Sequence, residues 1–181
     1  DWKPIDDLPE ARDVAFLVGF PRSGTTLLNQ VLDGHPAIQA IEEKPLASRI
    51  TAGLRAMPRG YPFALADLDA VDVAWLRDGY FRSAAEHGAA DPSRLLLDKF
   101  PANTVLAGML QRVFPSARFV LALRHPCDVV LSCFMQHFEL NNTMANFCTL
   151  ADTVALYTRV MDLWQGWRDA LRLHVHTVRY E

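Results

Sequence analysis

Apolar and polar positions along this chain follow two alternating rhythms. Val14–Val18 is a short unbroken apolar run, the pattern of a strand buried on both faces. After a loop, Leu27, Leu28, Val31 and Leu32 are spaced to share one face of a helix over 25–33, and Gly34-His35-Pro36 stops it. Ile38–Ile41 reads as a brief extended piece, 45–56 as a helix, and 57–63, with two prolines and a glycine, as a loop. A helix is predicted over Asp69–Ala85, a strand at Leu95–Leu97, and a helix through Val105, Met109 and Val113 that stops before Pro115. A strand at Arg118–Leu123 precedes a helix carrying Val129, Val130, Cys133 and Phe134. A longer helix runs from about Leu150 to Leu171, with Tyr157, Val160, Met161, Trp164 and Trp167 as its core stripe, and Val175–Tyr180 is a last strand. Strands alternating with helices predict an α/β fold: a parallel sheet with helices on both faces. Residues 1–13, polar and proline-containing, read as a leader or linker, and 14–181 as one domain.

Composition narrows the functions this pattern can serve. The 181 residues suffice for one core, and two domains would be crowded. A net charge of −3 provides no global basic field, so nucleic acid is not an expected partner and any anion site must be local. The three cysteines, Cys127, Cys133 and Cys148, have neither disulfide-framework nor metal-ligand spacing and are expected as free thiols in or near the core. With no signal peptide and no apolar run of bilayer length in the sequence, no membrane segment is expected and a cytoplasmic location is.

Candidate chemistry gathers at predicted strand ends, where parallel sheets bind ligands. Gly19 and Gly24 have the spacing of a Walker A loop, but Thr25 stands where that motif needs lysine, and Arg22 carries the charge instead. This is a P-loop relative without the ATPase lysine. Backbone N–H groups from Ser23 to Thr26, the Thr25 and Thr26 hydroxyls and Arg22 can surround a phosphate at a helix start. Arg124 and Ser132 form a second candidate anion site. Lys99 can neutralise charge on a transferred group, and Glu42 or Glu43 can take a proton from an attacking hydroxyl. His35 and His125 read as turn residues, and no metal-ligand spacing occurs.

Five segments in order, Phe20-Pro-Arg-Ser-Gly-Thr-Thr26, Asp33-Gly-His-Pro36, Asp98-Lys-Phe-Pro101, Arg124 through Ser132, and Arg179-Tyr-Glu181, resemble the sulfotransferases that use 3′-phosphoadenosine 5′-phosphosulfate. The likeness is nearest to bacterial domains found behind tetratricopeptide repeats and to tyrosylprotein sulfotransferases. It implies metal-independent, in-line transfer of a sulfuryl group to a hydroxyl, with 3′,5′-adenosine bisphosphate as product. It assigns Arg22, Ser23, Gly24, Thr25 and Thr26 to the 5′-phosphosulfate, and Arg124 with Ser132 to the 3′-phosphate. Lys99 then serves the transferring sulfate, Tyr180 lies near the nucleotide, and Glu43 is the base. Gln136 departs from the tyrosylprotein branch, which carries arginine there. Family members continue past Arg-Tyr-Glu, so 14–181 is expected as a sulfotransferase domain lacking its C-terminal part, with an upstream repeat domain as a possible companion. Acceptors compatible with the resemblance are a protein tyrosine, a glycan or a small molecule, with residues 45–95 expected to shape their pocket. The rival expectations are a nucleoside or small-molecule kinase and a non-catalytic nucleotide-binding module.

Overall fold

The computed structural model describes residues 2–139 and 141–181; residue 1 of the expected leader lies outside them. Five strands, β1 (Val14–Gly19), β2 (Ile38–Glu42), β3 (Leu95–Lys99), β4 (Arg118–Leu123) and β5 (His174–Arg179), form one sheet in the order β2-β3-β1-β4-β5. Every pairing is parallel. The helices are α1 (Thr25–Asp33), α2 (Leu46–Ala56), α3 (Ala70–Glu86), α4 (Ala107–Val113), α5 (Pro126–Met135) and α6 (Leu150–Ala170), with short 3-10 turns at Phe63–Ala66, Pro101–Leu106 and Met144–Phe147. The α/β architecture is thus the one the alternating pattern predicts. Building β2 and β3 on one side of β1 and β4 and β5 on the other opens a crevice at the carboxyl end of β1.

The two faces of the sheet are covered unequally. On one, Phe16, Phe119 and Leu96 pack against α2, α3, α4 and the buried Trp164 of α6. Its aromatic centre includes Phe16–Phe119 at 5.4 Å and Tyr80–Phe114 at 5.1 Å between ring centroids, separations at which tilted rings attract. Trp2, Ile5 and Leu8 pack against this core, and the Arg77 guanidinium donates to the Pro9 carbonyl at 2.7 Å.

The other face carries Ala15, Leu17 and Leu97, covered by Leu28 and Leu32 of α1. Here the predicted apolar stripe divides. Leu27 and Val31 are 56% and 66% exposed, while the polar Thr25 and Asn29 are buried. The sheet lies beneath positions 25, 28, 29 and 32, one i, i+3, i+4 set, and 27 and 31 fall to its outer edge. No described helix is long and apolar enough to cross a membrane.

Candidate active site

β1 delivers its last residue against a neighbouring backbone, and that contact selects glycine. A Cβ on Gly19 would sit 2.6 Å from Ser23 Oγ and 2.8 Å from the Ala122 carbonyl oxygen, too close for either. Gly19 N–H donates to Thr104 Oγ1 at 2.9 Å, tying the loop to the turn that follows β3. Thr104 had no signal in the sequence pattern; only the sheet order brings it 85 residues back to Gly19. Gly24 has φ +93 and presses on the Tyr180 ring, so it is glycine for both backbone and space. Arg22 has φ +70, a left-handed conformation that costs a non-glycine residue about 1–2 kcal/mol.

The loop departs from expectation in one donor. Ser23 N–H already bonds the Phe20 carbonyl at 3.2 Å, closing the turn, so it is not among the free anion donors. Gly24, Thr25 and Thr26 stand at the start of α1, where N–H groups have no intrahelical acceptor. Ser23 Oγ is buried and has no partner among the described residues. A buried hydroxyl left unpaired beside free helix N–H groups suits an acceptor-rich ligand such as a phosphate ester.

The two candidate anion sites meet through Arg22. Its Nε donates to Ser132 Oγ at 3.1 Å, across 110 residues. Arg124 Nη1 reaches the Arg22 carbonyl at 3.4 Å, and its guanidinium lies 5.0 Å from the Tyr180 ring centroid, within cation–π range. Tyr180 is held by its N–H on the Leu123 carbonyl at 2.8 Å. Glu181 Oε1 accepts the His125 N–H at 2.6 Å, just ahead of α5, and this bond holds the Glu181 carboxyl below its ordinary range. His125 is therefore a turn residue, as expected, and Glu181 is the partner that pattern reasoning did not assign. Gln136 is exposed at the end of α5 and touches neither arginine in the described contacts.

Strand alternation separates the adjacent Asp98 and Lys99. Both are fully buried, yet they point to opposite faces of the sheet. Lys99 faces α1: its Nζ lies 2.7 Å from Glu43 Oε1, 2.8 Å from Glu42 Oε1 and 3.2 Å from Thr26 Oγ1. Glu43 and Thr26 accept hydrogen bonds from the ammonium, and Glu42 adds an ion pair. Lys99 is thus paired with both glutamates and not with the adjacent Asp98. Glu43 has φ +50 and its N–H donates to the Lys99 carbonyl at 2.8 Å, a turn that brings two consecutive acids onto one lysine.

Asp98 faces α3. Its Oδ2 accepts from Tyr80 Oη at 2.8 Å and Asn103 Nδ2 at 3.2 Å, while Asp98 Oδ1 and Asn103 Oδ1 have no partner among the described residues. Burial pushes the Asp98 carboxyl up to about 7, against the two hydrogen bonds that favour its ionised form. Burial likewise raises the Tyr80 phenol, and the adjacent Asp98 adds to the shift.

A cavity of about 620 Å³ runs from the loop into an apolar arm. Gly19, Arg22, Gly24, Thr25, Thr26, Glu43, Arg124 and Tyr180 line its loop end; Lys99 lies behind Glu43 and Thr26. The arm comes from Phe100–Val105, from Phe138, Thr143, Met144 and Phe147, and from α6. No described lining residue of this cavity belongs to 45–95. That segment's apolar positions, among them Ile50, Leu54, Val73 and Tyr80, are consumed by the core on the far face of the sheet. The thiols divide too. Cys133 is buried, bonded to the Pro21 carbonyl and pushed up to about 11 by burial, whereas Cys127 and Cys148 are exposed rather than near the core.

Comparison with known proteins places this geometry. A model described as the Sulfotransferase family matches residues 15–181. Protein-tyrosine sulfotransferase 2 of Gallus gallus is 32% identical over 118 residues, covering 60% of this chain and 30% of the relative. A nodulation protein of Sinorhizobium fredii is 33% identical over 131 residues, 66% of this chain and 30% of the relative. The chain thus spans less than a third of the length of these curated relatives. Among solved structures, a sulfotransferase domain from the curacin biosynthetic pathway superposes with TM-score 0.55 at 20% identity, over 95% of this chain and 68% of that one. A sulfotransferase from Mycobacterium tuberculosis does so with TM-score 0.56 at 17% identity, over 94% and 63%. These likenesses show a shared fold, and the family match is decisive: the chain belongs to the sulfotransferase family.

Proposed function

We propose that this member of the sulfotransferase family moves a sulfuryl group from 3′-phosphoadenosine 5′-phosphosulfate to a hydroxyl acceptor, in line and without a metal ion. One observation carries the reading. A buried lysine joins Glu42 and the cavity-lining Glu43 to a threonine of the anion loop, so the groups needed to accept a proton and to neutralise a transferring anion are already in contact.

The donor fits the residues present. The N–H groups of Gly24, Thr25 and Thr26, the two threonine hydroxyls and the unpaired Ser23 hydroxyl would hold the 5′-phosphosulfate, with Arg22 as the fixed positive charge. Arg124 and Ser132 would hold the 3′-phosphate, and the Tyr180 ring would border the nucleotide. The donor supplies the sulfuryl group; the chain supplies position and charge, which dominate catalysis in the related phosphoryl transfers.

Glu43 takes the proton of the acceptor hydroxyl. That oxygen forms its bond to sulfur while the bond from sulfur to the bridging phosphate oxygen breaks, the electron pair leaving on the bisphosphate product. Lys99, hydrogen-bonded to Glu43 and Thr26 and ion-paired with Glu42, exchanges one of those hydrogen bonds for the transferring group while Glu42 remains its anchor. A carboxylate base is needed because a phenol, with a reference pKa of about 10, is almost wholly protonated at neutral pH.

The test is calorimetry with 3′,5′-adenosine bisphosphate, with and without magnesium, alongside transfer of radiolabelled sulfate from the donor. Magnesium-independent binding and label on the acceptor are expected. Magnesium-dependent binding of ATP with phosphoryl transfer would overturn the reading in favour of a kinase. Bisphosphate binding with no turnover on any hydroxyl would leave a binding module.

A further inference from the structure

We propose that Asp98, Asn103 and Thr104 are positioning residues for the anion loop, forming one brace in which Asp98 carries a proton and pairs with the Asn103 side chain as acid with amide. None of the three lines the cavity, so each acts through another group. The role rests on the sulfuryl-transfer reading for what the loop holds; the acid–amide pair stands apart from it.

The first observation is a pair of buried oxygens, one on each partner, that lack a hydrogen. Asp98 and Asn103 are 0% and 1% exposed. Asn103 Nδ2 donates to Asp98 Oδ2 at 3.2 Å, while Asp98 Oδ1 and Asn103 Oδ1 have no partner among the described residues. An ionised Asp98 only accepts, as does the amide oxygen, so both oxygens would stay orphaned inside the core. One proton on Asp98 Oδ1 makes it a donor, and the two side chains then hydrogen-bond in both directions. Burial, which pushes the Asp98 carboxyl up to about 7, favours the same protonated form.

The surrounding charges do not oppose it. Among the described residues no cation pairs with Asp98, and Tyr80 Oη on α3 donates to Asp98 Oδ2. Arg12, ahead of β1, is felt at Tyr80; Arg77 of α3 bonds the Val113 and Pro9 carbonyls, and Arg112 of α4 those of Leu65 and Lys3. The charged side chains of α2 and α6 are exposed, and Lys99 lies on the opposite face.

The second observation is where the turn after β3 leads. Asn103 N–H donates to the Phe100 carbonyl at 2.9 Å, so Asn103 is tied by backbone and side chain to the end of β3. Thr104, next in the same 3-10 turn and fully buried, accepts the Gly19 N–H at 2.9 Å. Its single hydroxyl proton serves the Pro101 carbonyl at 2.7 Å or the Gly19 carbonyl at 3.0 Å. Gly19 is where β1 becomes the loop, packed too tightly for a Cβ, so a displaced turn moves the backbone that presents Gly24, Thr25 and Thr26. A cradle of N–H groups works only when placed to within about 0.5 Å. Loss of the Asp98 proton sets a carboxylate against the amide oxygen and loosens the brace, so bisphosphate affinity falls as pH rises through about 7.

The experiment measures 3′,5′-adenosine bisphosphate Kd by calorimetry at about pH 6 and about pH 8.5 for the unmutated chain, Asp98→Asn, Thr104→Val and Thr104→Ser. Asparagine at 98 keeps the two-way pair at every pH, and comparison with it cancels the titration of the phosphates. The two Kd values are expected to agree within about twofold at the lower pH, with the unmutated chain weaker by about fivefold at the higher. Thr104→Val is expected to raise Kd by about tenfold, and Thr104→Ser, which keeps the hydroxyl, to stay within about twofold. Infrared spectra of the unliganded protein should show, at the lower pH, a protonated-carboxyl carbonyl band that Asp98→Asn abolishes. An unchanged Kd in Thr104→Val, a Kd ratio between the unmutated chain and Asp98→Asn that does not vary with pH, or absence of that band overturns the brace while the sulfuryl-transfer reading stands. An unmutated chain that shows the band yet binds no bisphosphate overturns that reading, and the positioning role with it.

Discussion

The two faces of the sheet treat burial of charge in opposite ways at the end of β3. On the face covered by α2, α3, α4 and α6, Asp98 is enclosed with Tyr80 and Asn103, and burial favours its neutral form. On the face covered by α1, Lys99 is just as buried, but it meets Glu42 and Glu43, whose side chains are 47% and 54% exposed. The first arrangement removes a charge from the interior. The second gives a buried lysine two carboxylate partners that reach solvent, one of them lining the cavity. A fully buried ionisable group is therefore not evidence of function by itself; what separates Lys99 from Asp98 is that its partners open onto a place where a ligand can stand.

The contrast breaks first at Glu43. Glu43→Gln is expected to lower kcat by about 10²–10⁴-fold with bisphosphate affinity retained, because an amide cannot accept the acceptor's proton. Full activity in steady-state assays would remove Glu43 from the base role. Lys99→Ala is expected to lower kcat by about 10²–10³-fold, the loss of a charge that stabilises the transferring group. Its thermal midpoint must be read alongside, since the variant frees two carboxylates from their common partner. Unchanged kcat would make the lysine purely architectural.

A smaller effect is expected at the loop end. Ser132→Ala removes the acceptor of Arg22 Nε and a hydroxyl offered to the 3′-phosphate. Bisphosphate Kd should rise by about fivefold, equivalent to about 1 kcal/mol for one hydrogen bond. Titration calorimetry showing the same change for adenosine 5′-monophosphate, which lacks the 3′-phosphate, would contradict the assignment.

The last effect sharpens the other face and appears in stability rather than turnover. The Asp98 carboxyl is raised in the folded state to about 7 from an ordinary 3.8, so the native chain holds a proton that the unfolded chain releases. Stability contributed by this group is complete below about pH 4 and falls as pH rises toward 7. Asp98→Asn, which cannot ionise, should flatten that slope, so its melting temperature gains on the unmutated chain between pH 5 and pH 8. A difference independent of pH would show that Asp98 is ionised in the fold.

Much of this site was legible because it is contiguous. The stretch from Gly19 to Thr26 carries its own geometry in two glycines, an arginine and two threonines, and parallel pairing places it beside the ends of β3 and β4. The apolar stripes located the elements for the same reason: periodicity is a local property. Local pattern also misled where several faces compete for apolar residues. Leu27 and Val31 fit a stripe yet stand outside the sheet contact.

The amino-acid sequence alone determined the strand–helix alternation, the anion loop with its displaced positive charge, and the family resemblance, since each is written in residues near one another along the chain. The tertiary structure alone decided that Arg22 turns to Ser132, that Thr104 braces Gly19 and that Lys99 holds both glutamates while Asp98 faces away. It also decided that the apolar arm of the cavity comes from residues 100 onward. The physical reason is one of range. Propensity and periodicity act over a few residues, whereas these contacts join segments 56 to 110 positions apart, and the order of strands in the sheet chooses which of them meet.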